Sequence, residues 1–186
     1  MKRDALHWML IATSVALAAW VFARMAVPEE AADHVAEAIQ TLQPRVDDAR
    51  ARRLSRHIRD ATDDAWLDPL LVVALIMRES SFSPRVERLE RLGPQGERGL
   101  MQVMPGGPWR DVLPDGCTEE LVGARCQIHT GVRWLALARD RCPGSWWRWV
   151  AAYGMSRCPT EEQARMTVSP RRARAYYTRI GGERWE

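Results

Sequence analysis

The stretch Asp68-Pro69-Leu70-Leu71-Val72-Val73-Ala74-Leu75-Ile76-Met77-Arg78-Glu79-Ser80-Ser81-Phe82 decides how this chain is read. Asp68 is an N-cap acceptor, and proline follows at the first helical position, where its missing N–H costs nothing. An apolar helical run then carries Glu79 to the helix C-terminus. There the macrodipole is negative and apolar walls disfavour the charged form, so both effects raise the carboxyl pKa and favour a protonated acid near neutral pH. A Gly-rich stretch containing Gly99-Leu100-Met101-Gln102 follows. The pairing places a carboxyl group at a cleft.

Working outward, Arg45 to Trp66 carries Leu54, Ile58, Ala61 and Ala65 at helical spacing beneath a charged face. Its arginines at 50, 52, 53, 56 and 59 alternate with Asp47, Asp48, Asp60, Asp63 and Asp64, the pattern of a solvated face rather than a nucleic-acid contact. Ala32, Val35, Ala36, Ile39 and Leu42 form a shorter stripe, expected as a tether or short helix over 28–44. On the C-terminal side Thr118-Glu119-Glu120-Leu121 reads as a helix start, followed by an amphipathic helix through Ile128, Val132, Leu135 and Ala138 that ends near Cys142-Pro143-Gly144. Ser145 is expected to cap a helix over 146–153, and Thr160-Glu161-Glu162 and Ser169-Pro170 to open two more. No run of alternating strand residues and no internal repeat appears. The expected class is mainly α, with a main domain over 45–186.

The N-terminus carries Lys2 and Arg3 ahead of an uncharged stretch from Trp8 to Ala23, which with Ala5, Leu6 and His7 approaches the roughly 20 residues that span a bilayer. It reads as an export signal or a signal anchor over 1–27. Val21-Phe22-Ala23 resembles a cleavage site, whereas the length and the interfacial Trp8 and Trp20 favour an uncleaved anchor. The remaining roughly 160 residues suit one domain, expected in the periplasm or another extracytoplasmic compartment. Cys117, Cys126, Cys142 and Cys158 agree with an oxidising compartment. Of three possible connectivities, Cys117 with Cys126 and Cys142 with Cys158 close local loops beside expected helices. A zinc site including His129 is the competing reading, and no Cys-x-x-Cys pair favours it. Net charge is +3 with a single lysine, which selects no partner.

Cleaving a glycosidic bond needs an acid to protonate the leaving oxygen, and commonly a second carboxylate as base or nucleophile. Glu79 is the placed acid. Glu87, Glu90, Glu97, Asp111 and Asp115 lie in following loops, and nothing in the pattern sets one opposite Glu79. A glycosidase built this way takes its second group from the substrate. Trp146, Trp147 and Trp149 offer faces for sugar rings, with Trp149 expected in the core.

Glu79-Ser80-x-Phe82, then Gly96-x-x-Gly99-Leu100-Met101-Gln102-x-Met104-Pro105, Ala151-Ala152-Tyr153 and Tyr176 in a terminal helix resemble the soluble lytic transglycosylase family with its lysozyme-like fold. Ile128-x-x-Gly131-x-x-Trp134-Leu135 resembles that family's central helix, and the likeness spans roughly 66–180. It implies cleavage of peptidoglycan between N-acetylmuramic acid and N-acetylglucosamine. Glu79 would protonate the bond and then act as base while the muramoyl 6-hydroxyl closes a 1,6-anhydro ring. Ser80 matches a residue beside the acid, Gly99, Leu100, Met101 and Gln102 match the loop lining the saccharide groove, and Tyr153 and Tyr176 match tyrosines orienting acid or sugar. Core packing is the rival role for Leu100 and Met101, and simple packing for both tyrosines.

The chain departs from the family pattern at Gly154-Met155-Ser156, at the long arginine-bearing segment before Gly96, at Gly93 and at Gly106-Gly107-Pro108. These departures point to a rebuilt groove. The partners implied are glycan strands and a membrane; no cofactor, metal or nucleic acid is expected. Two other functions fit the same residues: a muramidase using water as nucleophile, and a non-catalytic wall-binding or scaffolding module.

Overall fold

The computed structural model describes residues 33–104, 108–155 and 157–182. The uncharged run over 8–23, and with it the expected signal or anchor, lies outside them. Among the described residues no helix is long and apolar enough to cross a membrane. Eight α-helices are described: α1 His34–Leu42, α2 Asp48–Ala65, α3 Pro69–Ser80, α4 Pro84–Glu87, α5 Ala124–Arg141, α6 Trp146–Met155, α7 Glu161–Met166 and α8 Val168–Arg179. A 3-10 turn spans Pro108–Val112. Among the described residues the only strand-like pairing is an isolated antiparallel bridge between Arg98 and Val103. The protein is mainly helical.

Helix α3 is the centre of the core. Leu71, Val72, Val73, Ala74, Leu75 and Ile76 are all buried, so this helix has no solvent face, in keeping with a run that is hydrophobic all round. Burying each large side chain contributes about 1.5–3 kcal/mol. Helices α1, α2 and α8 pack against α3, while α5 joins α2 to α6. The Asp68 side chain accepts the Leu70 N–H at 2.7 Å and starts the helix as its sequence requires. Asp68 also accepts the Tyr177 hydroxyl at 2.5 Å, which fixes α8 against the start of α3.

The compact unit begins at Asp33 rather than at Arg45. Val35, Ala36, Ala38, Ile39 and Leu42 of the expected tether are buried in the common core. Asp33 caps α1 by accepting the Ala36 N–H at 3.1 Å, and it also accepts the Ser55 hydroxyl of α2 at 2.6 Å.

Helix α5 opens at Ala124, after Gly123, and not at Thr118-Glu119-Glu120. Leu121 is fully buried with a left-handed backbone, and a disulfide joins Cys117 to Cys126 across the same turn. That turn is fixed by tertiary contacts, which override the local helix-start signal. A second disulfide joins Cys142 to Cys158. All four sulfurs are therefore unavailable as thiolate ligands beside His129. Helix α7 has the expected Thr160–Gln163 capping box. Helix α8 begins at Val168, two positions before Pro170. The Ser145 hydroxyl before α6 donates to Glu161 at 2.5 Å and so joins α6 to α7.

Candidate functional site

Helix α3 ends immediately after Glu79. Ser81 and Phe82 both adopt positive φ, 53° each, so the chain turns away and leaves the Glu79 side chain at the helix mouth. Left-handed backbone at non-glycine residues costs of order 1–2 kcal/mol per residue, so the turn needs outside support. Arg50 of α2 supplies it by donating to the Phe82 carbonyl at 2.8 Å, and Gln43 donates to the Ser81 carbonyl at 3.1 Å. The same Arg50 guanidinium holds Glu87 at 2.6 Å, and Arg53 reaches the other Glu87 oxygen at 2.7 Å. The charged face of α2 thus anchors the segment that follows the acid.

The loop over 93–104 supplies another part of the cleft lining, through Pro94, Glu97, Gln102, Val103 and Met104. Its base is the Arg98–Val103 bridge, with N–H···O distances of 2.9 and 3.0 Å, and its tip is a tight turn closed by Gln102 N–H to the Gly99 carbonyl at 3.0 Å. Gln127 of α5, fully buried, organises this loop. It accepts the Leu100 N–H at 2.9 Å and donates to the carbonyls of Glu87 at 2.7 Å and Leu121 at 3.1 Å. Gly99 has φ 70°, and a Cβ there would lie 2.5 Å from the Gln127 amide carbon, so only glycine satisfies both backbone and space. Met101 packs flat against Gly131 of α5, where a Cβ would meet its sulfur at 2.5 Å.

The cleft, of about 470 Å³, is lined by Arg78, Glu79, Glu97, Gln102, Met104, Trp134, Tyr153 and, from α8 and its approach, Thr167, Ser169 and Arg172. Burial pushes the Glu79 carboxyl above the ordinary glutamate range. The adjoining Arg78 guanidinium, which hydrogen-bonds it, pulls the other way, and the negative charge of Glu97 pushes up again. The net shift is upward because the Glu79 side chain is only 11% exposed, whereas Arg78 is 27% exposed and spends part of its charge on solvent. The expected elevation is present. Its causes include an opposing arginine and a second carboxylate that sequence reasoning left unplaced.

Tyr153 lines the cleft from α6, and its hydroxyl donates to the Met101 carbonyl at 2.6 Å. Burial, with the Glu79 charge adding to it, raises the phenol well above its ordinary value, so it stays neutral. It braces the loop against α6 beside the acid.

Of the sequence-selected residues, the structure brings Glu79, Gln102 and Tyr153 to the cleft. Ser80 is buried and donates to the Ile76 carbonyl at 3.1 Å within its own helix. Gly99, Leu100 and Met101 shape the loop from behind, Leu100 and Met101 being fully buried. Tyr176 is half-buried against the core and is not among the cleft-lining residues. Trp146 and Trp149 are buried, and Trp147 stacks on Trp146 beneath the Arg174 guanidinium. The tryptophan in the cleft wall is Trp134, held by its indole N–H to the Tyr153 carbonyl at 3.1 Å.

Among the acids considered as partners for Glu79, Glu87 is held by arginines and Glu90 is paired with Arg88 at the surface. Asp111 and Asp115 are exposed. Glu97, inside Gly96-x-x-Gly99, is the one of these acids that lines the cleft. Arg172, which no sequence motif singles out, also lines it, because the packing of α8 brings it there.

A comparison with protein-family models matches residues 56–171 to the transglycosylase SLT domain. A search of curated proteins found no match to the chain.

Proposed function

The chain belongs to the transglycosylase SLT family, and from that premise we propose that it is a lytic transglycosylase acting on peptidoglycan with Glu79 as its acid. The observation carrying this reading is a buried carboxyl of raised pKa at a helix mouth, opening into a saccharide-sized cleft. Glu79 in its protonated form gives its proton to the oxygen between N-acetylmuramic acid and N-acetylglucosamine as the C1–O bond breaks. The resulting carboxylate then takes the proton of the muramoyl 6-hydroxyl, whose oxygen closes on C1 to form the 1,6-anhydro ring. Glu79 ends protonated, ready for another cycle.

The surroundings favour each half of that cycle. Burial keeps Glu79 protonated before cleavage, and Arg78 stabilises the carboxylate after it, so one group serves as acid and then base. Gln102 presents an amide to the cleft, and Trp134 adds an indole to its wall. Arg172 puts a positive charge there that suits the carboxylates of an anionic glycan and its stem peptide. Export fits the N-terminal apolar run and the two disulfides, which persist in oxidising compartments. An inner-membrane anchor facing the periplasm is the corresponding location.

The test is mass analysis of purified peptidoglycan digested with the protein. Products ending in 1,6-anhydro-muramic acid are expected, and a digest containing reducing ends alone would overturn the transglycosylase reading.

A further inference from the structure

Among the described residues that line the cleft, Glu97 is the second carboxylate beside Glu79. Its position is built rather than incidental. Glu97 Oε2 accepts the Gln95 N–H at 2.8 Å, and its backbone carbonyl accepts the Gly93 N–H at 2.9 Å. The carboxyl group lies against the α-carbon of Gly93, where a Cβ would stand 2.8 Å from the Glu97 carboxyl carbon and 2.6 Å from Gln102 Oε1. Any larger residue at 93 would displace both side chains, so Gly93 is what lets Glu97 and Gln102 lie together in the cleft lining. No described arginine pairs with Glu97, unlike Glu87 and Glu90. Its other oxygen, Oε1, makes no hydrogen bond to a described residue and is available to a water molecule.

We propose that Glu97 is a second catalytic carboxylate, activating water so that this site also hydrolyses the glycan and releases reducing ends beside anhydro ends. The inference rests on Glu79 as the acid. In the hydrolytic branch Glu79 gives its proton to the leaving oxygen as the C1–O bond breaks. Glu97 takes one proton from a water whose oxygen bonds to C1, and that proton returns to the Glu79 carboxylate through solvent. One water is consumed, and no other reactant is needed. The muramoyl 6-hydroxyl and this water compete for the same C1, and the carboxylate at 97 sets the ratio.

The experiment compares muropeptide products of the full-length wild type, Glu79→Gln and Glu97→Gln, with fold verified by circular dichroism. Glutamine at 97 keeps an acceptor for the Gln95 N–H but is no base. Losing a general base costs on the order of 10²-fold, so the ratio of reducing ends to anhydro ends should fall by about that factor. In Glu97→Ala, added azide should trap C1 as a glycosyl azide, because that nucleophile needs no base. A purely electrostatic or structural role would change both products together and leave their ratio untouched. An unchanged ratio in Glu97→Gln, or wild-type digests without reducing ends, overturns the role of Glu97 alone. Activity surviving in Glu79→Gln overturns the proposed function itself.

Discussion

Replacing Gln127 by leucine, nearly equal in volume, removes three hydrogen bonds from one buried side chain and leaves their partners in place. The Leu100 N–H and the Leu121 carbonyl are buried, while the Glu87 carbonyl is partly exposed and regains water. A buried polar group left without a partner costs about 1–3 kcal/mol, so the two that cannot rehydrate together cost about 2–6 kcal/mol. That is a large fraction of the 5–15 kcal/mol by which a typical domain is stable. Urea unfolding followed by tryptophan fluorescence reads the loss as a lower midpoint at unchanged slope. The effect should also be local: amide exchange at Leu100 should accelerate, and turnover should fall as the loop bearing Glu97 and Gln102 loosens. A loss below 1 kcal/mol, or an unaltered exchange rate at Leu100, would refute the claim that Gln127 organises the wall.

Three further outcomes follow from the same contacts. Arg78→Leu removes the lowering influence on Glu79 and leaves burial and Glu97 to raise it further; since the acid works protonated, the alkaline limb of kcat/KM should move to higher pH. A limb that stays or moves down contradicts that sign. Converting Cys142 and Cys158 together to alanine opens a loop of 16 residues and should cost about 3 kcal/mol by the chain-entropy relation, measured as the difference in unfolding free energy under oxidising conditions. Trp66 caps α2 with φ 54° while 89% exposed, so Trp66→Gly relieves a left-handed side chain and should be neutral or stabilising by about 1 kcal/mol in thermal unfolding.

The sequence made α3 legible because its signals are local: an Asp-Pro start, an apolar run and an acid at the end. The disulfide pairs sit close in sequence beside helix ends, where short loops suggest them. Other features depend on distant contacts that no period reports. Arg50 looks like one more charge on a solvated face, yet it meets Glu87 from 37 positions away and supports the strained turn after Glu79. Thr118-Glu119-Glu120 has the composition of a helix start, but burial of Leu121 and the adjoining disulfide hold a turn instead. Between the neighbouring tyrosines of α8, helix rotation alone decides that Tyr177 meets Asp68 while Tyr176 stays off the cleft.

Glu97 is the clearest case. Its place in the cleft lining depends on how Gly93 and the Arg98–Val103 bridge shape the loop. In the sequence it is simply one acid of several.

The most direct test of the central claim is the release of soluble fragments from peptidoglycan by the wild type and by Glu79→Gln at equal, verified fold. The account predicts 1,6-anhydro products from the wild type and none above background from the variant. Release by Glu79→Gln at a rate near that of the wild type would contradict it.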